Sequence, residues 1–247
     1  EVQDYAEKIV FLPDSYQVND NTKPVASAMP DRASLGLPQD GFVFASFNNS
    51  FKITPTTYDA WMRLLHQVPG SVLWLLRSSD AARANLEAEA RSRGIDPARI
   101  VWAPHMPLDR HLARHACADL FLDTLYCGAH TTSSDALWAG LPVLTVDGAT
   151  FASRVAASLL KAAGLPELVT RDLAGYEAAA LELARSPQRL AALRARLARA
   201  RTDSPLFDTP LFAKRLEAAF QAMWERRTSG LAPAHLRFEG DRVVWAG

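Results

Sequence analysis

The chain has 247 residues, and its 27 lysines and arginines balance 27 aspartates and glutamates, so the net charge is close to zero. Hydrophobic residues make up 49% and charged residues 22%, a globular composition that excludes a wholly disordered chain. The balanced charge argues against nucleic acid as the main partner, and no apolar run approaches the roughly 18–20 residues of a membrane span. The two cysteines, Cys117 and Cys127, cannot form a dense disulfide framework, which predicts a reducing, cytoplasmic compartment.

The first 40 residues differ in composition from the rest of the chain. Residues 1–24 form a short mixed segment, and residues 25–40 have the proline content of a linker. The chain starts at Glu1 rather than at an initiator methionine, and no signal-like apolar segment follows. A longer parent polypeptide is therefore one of our expectations.

From residue 41 onward, short apolar runs alternate with amphipathic segments. The apolar runs predict strands at 42–47, 71–77, 99–104, 119–123 and 141–146. The segments between them predict helices at 55–68, 79–93, 107–115 and 131–140, the first capped by Thr54. Strands that are apolar throughout are buried on both faces. The pattern therefore predicts an α/β fold with a Rossmann-like parallel sheet and flanking helices.

The remainder of the chain predicts a helical C-terminal part. Residues 153–227 predict helices only, interrupted at Pro187 and Pro205. The final stretch, AHLRFEGDRVVWAG, predicts either a small hairpin around Gly240-Asp241 or a loose tail.

Ligands of open α/β sheets bind beyond the carboxyl ends of the strands, and three polar clusters follow predicted strands. The first cluster is Asn48-Asn49-Ser50-Phe51-Lys52, which leads into the helix at Thr54. Backbone N–H groups at the helix start and the Lys52 ammonium suit a phosphate. The alternative is a polar turn with a solvated lysine, which is the better interpretation of this cluster taken alone.

The second cluster lies on the predicted helix 107–115. Leu108, His111 and Arg114 are three residues apart and share a face, and His115 is four residues from His111. An apolar side chain, an imidazole and a guanidinium on one face can hold a flat polar ring such as a nucleobase. A His/Arg stripe on the surface is the alternative, and these residues alone favour it.

The third and most specific cluster is DTLYCGAHTTSSDALWAGLPV at 123–143. A glycine-containing loop reaches His130, and the hydroxyl residues 131–134 begin a helix whose free N–H groups suit a diphosphate. Asp135 lies one turn later and fits an acceptor for ribose hydroxyls, as acidic residues do in dinucleotide sites. An N-cap cluster explains the hydroxyls and Asp135 but neither His130 nor the glycine loop, so the third cluster favours a ligand site.

Other chemistries find less support. The sequence has no paired CxxC, no HExxH and no pair of acids suited to a divalent ion, so we predict no metal and no cofactor. No GxSxG elbow marks a serine nucleophile, although composition alone leaves a Ser-His-Asp triad open.

Four stretches together resemble one known family. They are FNNSFKITPTTYDAWMRLLHQVPGSVLWLLR, DTLYCGAHTTSSDALWAGLPVLTV, FASRVAASLL and SPLF, in this order between about Phe42 and Trp224. They resemble the C-terminal catalytic lobe of the O-linked N-acetylglucosamine transferases, nucleocytoplasmic enzymes that move GlcNAc from UDP-GlcNAc onto Ser/Thr of proteins. The resemblance implies a bacterial-type, inverting and metal-independent transferase with a two-lobed glycosyltransferase-B architecture.

The resemblance also implies a role for each matching residue. Lys52 and His130 become the catalytic candidates, with His130 ranked as a contact of the sugar. The implied UDP-sugar-binding residues are Asn49, Lys52, Thr131 and Thr132 at the diphosphate, Met106, His111 and Arg114 at the uridine, Asp135 at the ribose, and Cys127 and His130 beside the sugar.

This sequence departs from the family pattern at two positions and in its extent. Leu108 stands where the family usually has a lysine, so uridine selectivity or affinity is expected to differ. Asn49 stands where the family usually has a glutamine; it is shorter but keeps an amide. We expect residues 1–40 to be the end of an N-terminal lobe with its linker, 41–228 the UDP-sugar-binding lobe and 229–247 a C-terminal tail. The N-terminal lobe and the helical repeats that bind protein acceptors are expected partners outside this chain.

Three alternative functions stay open at this point. One is a related transferase that uses UDP-glucose on protein asparagine. Another is a nucleotide-binding lobe without activity of its own. The third is a structural domain whose helical half, 153–227, serves a partner through basic helices such as RLAALRARLARARTD. A solvated face over a packed stripe is the better interpretation of such a helix.

Overall fold

A computed structural model describes residues 2–246. Its main sheet has six strands: β2 (Val43–Ser46), β3 (Val72–Leu76), β4 (Ile100–Ala103), β5 (Leu120–Leu122), β6 (Val143–Val146) and β7 (Val169–Thr170). All neighbouring strands are parallel, and their order is β4-β3-β2-β5-β6-β7. This order is that of a Rossmann sheet, so the predicted α/β class and parallel sheet are confirmed.

Helices cover both faces of this sheet. They are α1 (Pro55–Gln67), α2 (Asp80–Ser92), α3 (Leu108–Arg114), α4 (Thr131–Trp138), α5 (Phe151–Ala162), α6 (Leu173–Arg185), α7 (Pro187–Asp203) and α8 (Thr209–Thr228). The predicted cap is confirmed, since the Thr54 hydroxyl accepts a hydrogen bond from the Thr57 N–H of α1. The predicted break at Pro187 coincides with the start of α7, because proline fits the first helical position.

The prediction of helices only between 153 and 227 is wrong at one place. Val169 and Thr170 form β7, the edge strand of the main sheet, paired with β6. Two residues are too short to show the hydrophobic period that identifies a strand in a sequence. The pairing of these residues is set by tertiary packing.

A second, smaller sheet joins the two ends of the chain. Strand β1 (Val10–Phe11) pairs in parallel with β8 (His235–Glu239), which forms an antiparallel hairpin with β9 (Arg242–Ala246). Of the two predicted alternatives for the last residues, the structure has the hairpin, which turns at Gly240-Asp241. No helix within residues 2–246 is long and apolar enough to cross a bilayer.

The hydrophobic core lies between the central strands and α1, α5 and α6. Phe44 and Phe121 on the two central strands are completely buried, as is Trp61 on α1. The Trp61 indole donates to the Tyr176 hydroxyl on α6 over 3.1 Å, and that hydroxyl donates to the backbone oxygen of Asp123 over 3.1 Å. The core is thereby connected by hydrogen bonds to the carboxyl end of β5.

Candidate functional site

The crevice of a Rossmann sheet lies where the strand order reverses, which here is between β2 and β5. Phe47 and Asn48 follow β2, and Asp123 and Thr124 follow β5, so all four lie at this point. Asn48 connects the two strand ends, because its Nδ2 donates to Asp123 Oδ1 over 3.2 Å and to Thr124 Oγ1 over 2.9 Å. The side chains beyond Phe47 and Asn48 form two groups.

The first group, called the loop corner below, comprises Asn48, Lys52 and residues 123–132. Its centre is the buried carboxylate of Asp123, which accepts from the N–H of Thr124 over 2.7 Å and of Ala129 over 2.6 Å. The Thr145 hydroxyl on β6 adds a 2.7 Å hydrogen bond to its second oxygen. Burial raises the pKa of Asp123, and these hydrogen bonds oppose the rise.

Asp123 was not among the residues predicted from the sequence. The available signal was an acid at the end of an apolar strand, in DLFLD. A side chain that ends a buried parallel strand lies at the ligand edge of the sheet. In this chain Asp123 shapes the loop 123–130 rather than facing a ligand.

Lys52 and Gly128 meet at the outer side of this loop. Lys52 ends a short 3₁₀ turn (Ser50–Lys52), and its Nζ donates to the Gly128 backbone oxygen over 2.7 Å. A Cβ added at Gly128 would lie 3.1 Å from Asp123 Oδ2 and 3.2 Å from the Ala152 oxygen, so a side chain at this position would push against both groups. The ammonium group of Lys52 is therefore held at the loop in front of α4.

The start of α4 lies on the same loop. Thr132 donates from Oγ1 to Asn48 Oδ1 over 2.5 Å, whereas Thr131 is exposed. Ser133 and Ser134 are buried, and the Ser134 hydroxyl donates to Asn19. Of the four predicted hydroxyl residues, Thr131 and Thr132 thus border the crevice, together with the free N–H groups of the first helical turn.

Three further predicted residues flank the loop corner. His130 is the N-cap of α4; its Nε2 donates to the Ala152 oxygen over 3.3 Å, and its Nδ1 accepts from the Tyr16 hydroxyl over 3.1 Å. Cys127 is partly buried in the loop and is not in a disulfide. Asn49 is exposed, and its backbone oxygen accepts from the Lys52 N–H over 3.0 Å.

Asp135 is buried on α4 and forms an ion pair with a lysine that sequence reasoning did not select. Lys23 Nζ lies 2.6 Å from Asp135 Oδ1. Within residues 2–246 no donor reaches Asp135 Oδ2. One oxygen of the predicted ribose acceptor is therefore held by Lys23, and the other is left for a ligand.

The second group, called the ring corner below, comprises Phe47, His111, Arg114 and His115. The Phe47 ring lies 5.3 Å from the His111 ring and 5.0 Å from the His115 ring, between centroids. The Arg114 guanidinium lies 4.8 Å from the Phe47 centroid, a cation–π distance. Phe47 thus supports the ring corner, and its neighbour Asn48 supports the loop corner.

Arg114 orients His111 from inside the protein. Arg114 is completely buried; one Nη donates to the Pro104 oxygen and the other to His111 Nδ1, both over 2.5 Å. Burial lowers the pKa of Arg114 to about 10, and burial with the neighbouring His115 and Arg114 lowers the pKa of His111 to about 3. At pH 7 His111 is therefore neutral, with its proton on Nε2.

The remaining predicted residue, Met106, lies in the loop between β4 and α3. It is partly buried and follows Pro104, whose oxygen binds Arg114. Leu108 is 47% exposed on the first turn of α3. Met106 is therefore next in sequence to the ring corner, whereas Asn49, Lys52, Thr131 and Thr132 lie with the loop corner.

Within residues 2–246, no group of three or more histidine, cysteine, aspartate or glutamate side chains is arranged to hold a metal ion. The prediction of metal-free chemistry stays a prediction.

A family model and several known proteins match this chain. The model of glycosyl transferase family 41 matches residues 17–216. The probable UDP-N-acetylglucosamine–peptide N-acetylglucosaminyltransferase SEC of Arabidopsis thaliana is 38% identical over 239 residues, 94% of this chain and 24% of the plant protein. The UDP-N-acetylglucosamine–peptide N-acetylglucosaminyltransferase of Caenorhabditis elegans is 39% identical over 213 residues, 86% of this chain and 18% of the nematode protein.

Two solved structures share the fold of this chain. An O-GlcNAc transferase mutant from Thermobaculum terrenum superposes with a TM-score of 0.74 at 32% identity, over 88% of this chain and 40% of that one. A sucrose-phosphate synthase from Thermosynechococcus elongatus, with a TM-score of 0.61 and 18% identity over 84% of this chain and 51% of that one, shares the fold alone. This chain spans a quarter or less of the two curated relatives. It belongs to glycosyl transferase family 41.

Proposed function

We propose that this chain supplies the UDP-GlcNAc-binding lobe of a transferase that moves GlcNAc onto serine and threonine hydroxyls of proteins. One observation carries the proposal: the Lys52 ammonium and the start of α4 converge on the loop 123–130, at the point where the strand order reverses. A lysine and free backbone N–H groups at one crevice suit a diphosphate. The names of the relatives from A. thaliana and C. elegans support UDP-GlcNAc as the donor.

The reaction is a single displacement with inversion at the anomeric carbon. The acceptor oxygen forms a bond to that carbon while the bond from the carbon to the β-phosphate oxygen breaks. UDP leaves with the electron pair, and the hydroxyl proton goes to a base. Negative charge grows on the diphosphate, where Lys52 and the N–H groups at Thr131 and Thr132 stabilise it in the transition state.

The other predicted residues bind the rest of the donor. His111 offers its Nε2–H to the uridine, because Arg114 holds Nδ1, and the Met106 backbone lies at the uracil. Asp135 Oδ2 accepts a ribose hydroxyl, Asn49 lies at the diphosphate, and Cys127 and His130 lie beside the sugar.

The chemistry of this site needs no metal ion. Lys52 and the start of α4 supply positive charge where transferases of other kinds use a divalent ion. We also infer a cytoplasmic location, since Cys117 and Cys127 are both free thiols, which a reducing compartment maintains.

The test is calorimetric titration of UDP into the chain, with and without magnesium. The wild type and Lys52→Ala are compared. Lys161→Ala is the control, because Lys161 on α5 is an exposed lysine that pairs with Asp147. We expect micromolar binding that ignores magnesium, weakens in Lys52→Ala and is unchanged in Lys161→Ala. Binding that requires magnesium, or that is the same in all three proteins, contradicts the proposal.

The sugar is tested separately by competition. UDP-GlcNAc and UDP-glucose are titrated against bound UDP, and we expect UDP-GlcNAc to compete better. A preference for UDP-glucose would favour the alternative transferase instead.

A further inference from the structure

Residues 16–23, called the crossing segment below, run along one face of α4. Tyr16 donates to His130, Asn19 accepts from Ser134, and Lys23 pairs with Asp135. The Lys23 backbone oxygen also accepts from the Trp138 indole over 3.1 Å. The four partners on α4 and its cap are 130, 134, 135 and 138, which lie on one side of a helix.

The crossing segment is itself fixed to the helical part of the chain. Asn19 Nδ2 donates to the Leu206 oxygen over 3.1 Å, and Thr209 donates to the Asn19 oxygen over 2.6 Å. Asn19 is 3% exposed, so these hydrogen bonds are shielded from water. The segment is therefore a fixed part of the wall around α4.

We propose that Lys23 is a positioning residue of the donor site, which neutralises the Asp135 carboxylate and fixes its orientation; this inference rests on the proposed function. A carboxylate that is largely buried is costly unless it is paired. Asp135 is 6% exposed and lies one turn behind the helix start assigned to the diphosphate. Without a cation beside it, this carboxylate would repel the diphosphate.

The geometry separates the two oxygens of Asp135. Lys23 Nζ takes Oδ1 at 2.6 Å and leaves Oδ2, so the ion pair does not remove the acceptor that the ribose needs. The side chains of Lys23 and Asp135 are 16% and 9% exposed, which limits screening of the pair by water. Lys23 thereby holds the carboxylate in one orientation and cancels its charge.

Tyr16 positions His130 as Lys23 positions Asp135. Its hydroxyl donates to Nδ1, which keeps the proton on Nε2 and fixes the ring against the Ala152 oxygen. Because His130 is assigned to the sugar and Asp135 to the nucleoside, the two contacts of the crossing segment affect different parts of the donor.

The deciding experiment is a double-mutant cycle on UDP binding. Calorimetry compares the wild type, Lys23→Met, Asp135→Asn and the double variant, with Lys23→Arg as the conservative replacement. Lys214→Met is the matched control, since Lys214 forms an exposed pair with Asp241. Thermal unfolding of each variant checks the fold, and Lys23→Gln replaces Lys23→Met if that variant does not fold.

We expect Lys23→Met to weaken UDP binding about tenfold. Lys23→Arg should stay within about threefold of the wild type, and Lys214→Met should be unchanged. In the Asp135→Asn background, Lys23→Met should have no further effect, because no carboxylate remains at position 135 for the ammonium to neutralise and orient. An equal loss in both backgrounds, or no loss in either, overturns the proposal for Lys23.

The matching test for Tyr16 uses Tyr16→Phe, with Tyr5→Phe as the control because the two tyrosines are similarly exposed. Tyr16→Phe should weaken UDP-GlcNAc about threefold and leave UDP unchanged. A wild type that binds no UDP contradicts the proposed function, whereas a wild type that binds UDP with the same affinity as Lys23→Met contradicts the inference about Lys23 alone.

Discussion

The loop corner and the ring corner are held by different forces, although they start from adjacent residues. In the loop corner, hydrogen bonds converge on the buried carboxylate of Asp123, and Lys52 and Thr131 remain accessible at its rim. In the ring corner, the Phe47 ring contacts the two histidine rings and lies over a completely buried Arg114. The first arrangement leaves charge for a ligand, whereas the second uses its charge inside the protein.

This difference changes how Arg114 is understood. The resemblance places it at the uridine, and in the structure its guanidinium donates to Pro104 and His111. A buried arginine that fixes the imidazole acts on a nucleoside through that imidazole. We therefore interpret His111 as the contact and Arg114 as the residue that orients it.

The largest expected effect tests the centre of the loop corner. Asp123→Ala leaves the N–H groups of Thr124 and Ala129 and the Asn48 amide without this acceptor. The Asn48 amide keeps Thr124 Oγ1 as an acceptor, so the two backbone N–H groups are the ones left unpaired. At about 1–3 kcal/mol for each of them, we expect a loss of roughly 2–6 kcal/mol in the free energy of unfolding. Urea unfolding measures this loss of stability. Asp80→Ala is the control, because the Asp80 side chain is 86% exposed. A loss no larger than that of the control would show that Asp123 does not hold the loop together.

Lys52→Ala tests the charge at the rim of the same corner. Removing one donor that stabilises transition-state charge typically costs about 3 kcal/mol, or roughly 100-fold in rate. We expect kcat for GlcNAc transfer by the complete enzyme to fall by about that factor, while the melting temperature stays the same. Lys161→Ala should keep its rate, and a normal kcat in Lys52→Ala would remove Lys52 from the mechanism.

The ring corner predicts a dependence of stability on pH. A histidine in the unfolded chain titrates near 6.5, whereas burial lowers the pKa of His115 to about 4. Below pH 6.5 the unfolded state binds more protons at this histidine than the folded state does. The stabilisation that comes from keeping His115 neutral is therefore complete above pH 6.5 and is lost as the pH falls toward 4. For His115 we expect a loss of roughly 2 kcal/mol between pH 7 and pH 5.

The comparison of two variants isolates this effect. His115→Gln should show a smaller decrease in the free energy of unfolding between pH 7 and pH 5 than the wild type does. His66→Gln, at an exposed histidine, should follow the wild type. If His115→Gln and the wild type depend on pH equally, His115 is not the group responsible.

The smallest effect concerns Leu108, at the exposed edge of the ring corner. Leu108→Lys restores the residue usual in the family, and Leu108 is 47% exposed, so the change costs little packing. An exposed charge of this kind contributes about 0.5 kcal/mol, so UDP binding should tighten roughly twofold. Leu231→Lys, at another exposed leucine, should leave the affinity unchanged; an equal gain in both would indicate a general effect of net charge.

The sequence by itself determined the elements of the main sheet from β2 to β6, the helices between them and the family. Continuous apolar runs and the Thr54-Pro55 helix start are local signals. They predict the observed elements correctly because the local preferences and the tertiary packing favour the same structure. The polar clusters could be found for the same reason, since side chains that end parallel strands meet at one edge. Lys52, Thr131 and Thr132 accordingly lie at one crevice.

Only the tertiary structure decided which of these side chains are accessible and what supports them. The separation between partners is 112 residues for Lys23 and Asp135, 114 for Tyr16 and His130, and 75 for Asn48 and Asp123. No local pattern encodes such pairings, because they arise when distant segments pack against one helix or strand end. The same packing buries Arg114 beneath Phe47 and gives Asp123 its donors, so the roles of these residues depend on the folded chain as a whole.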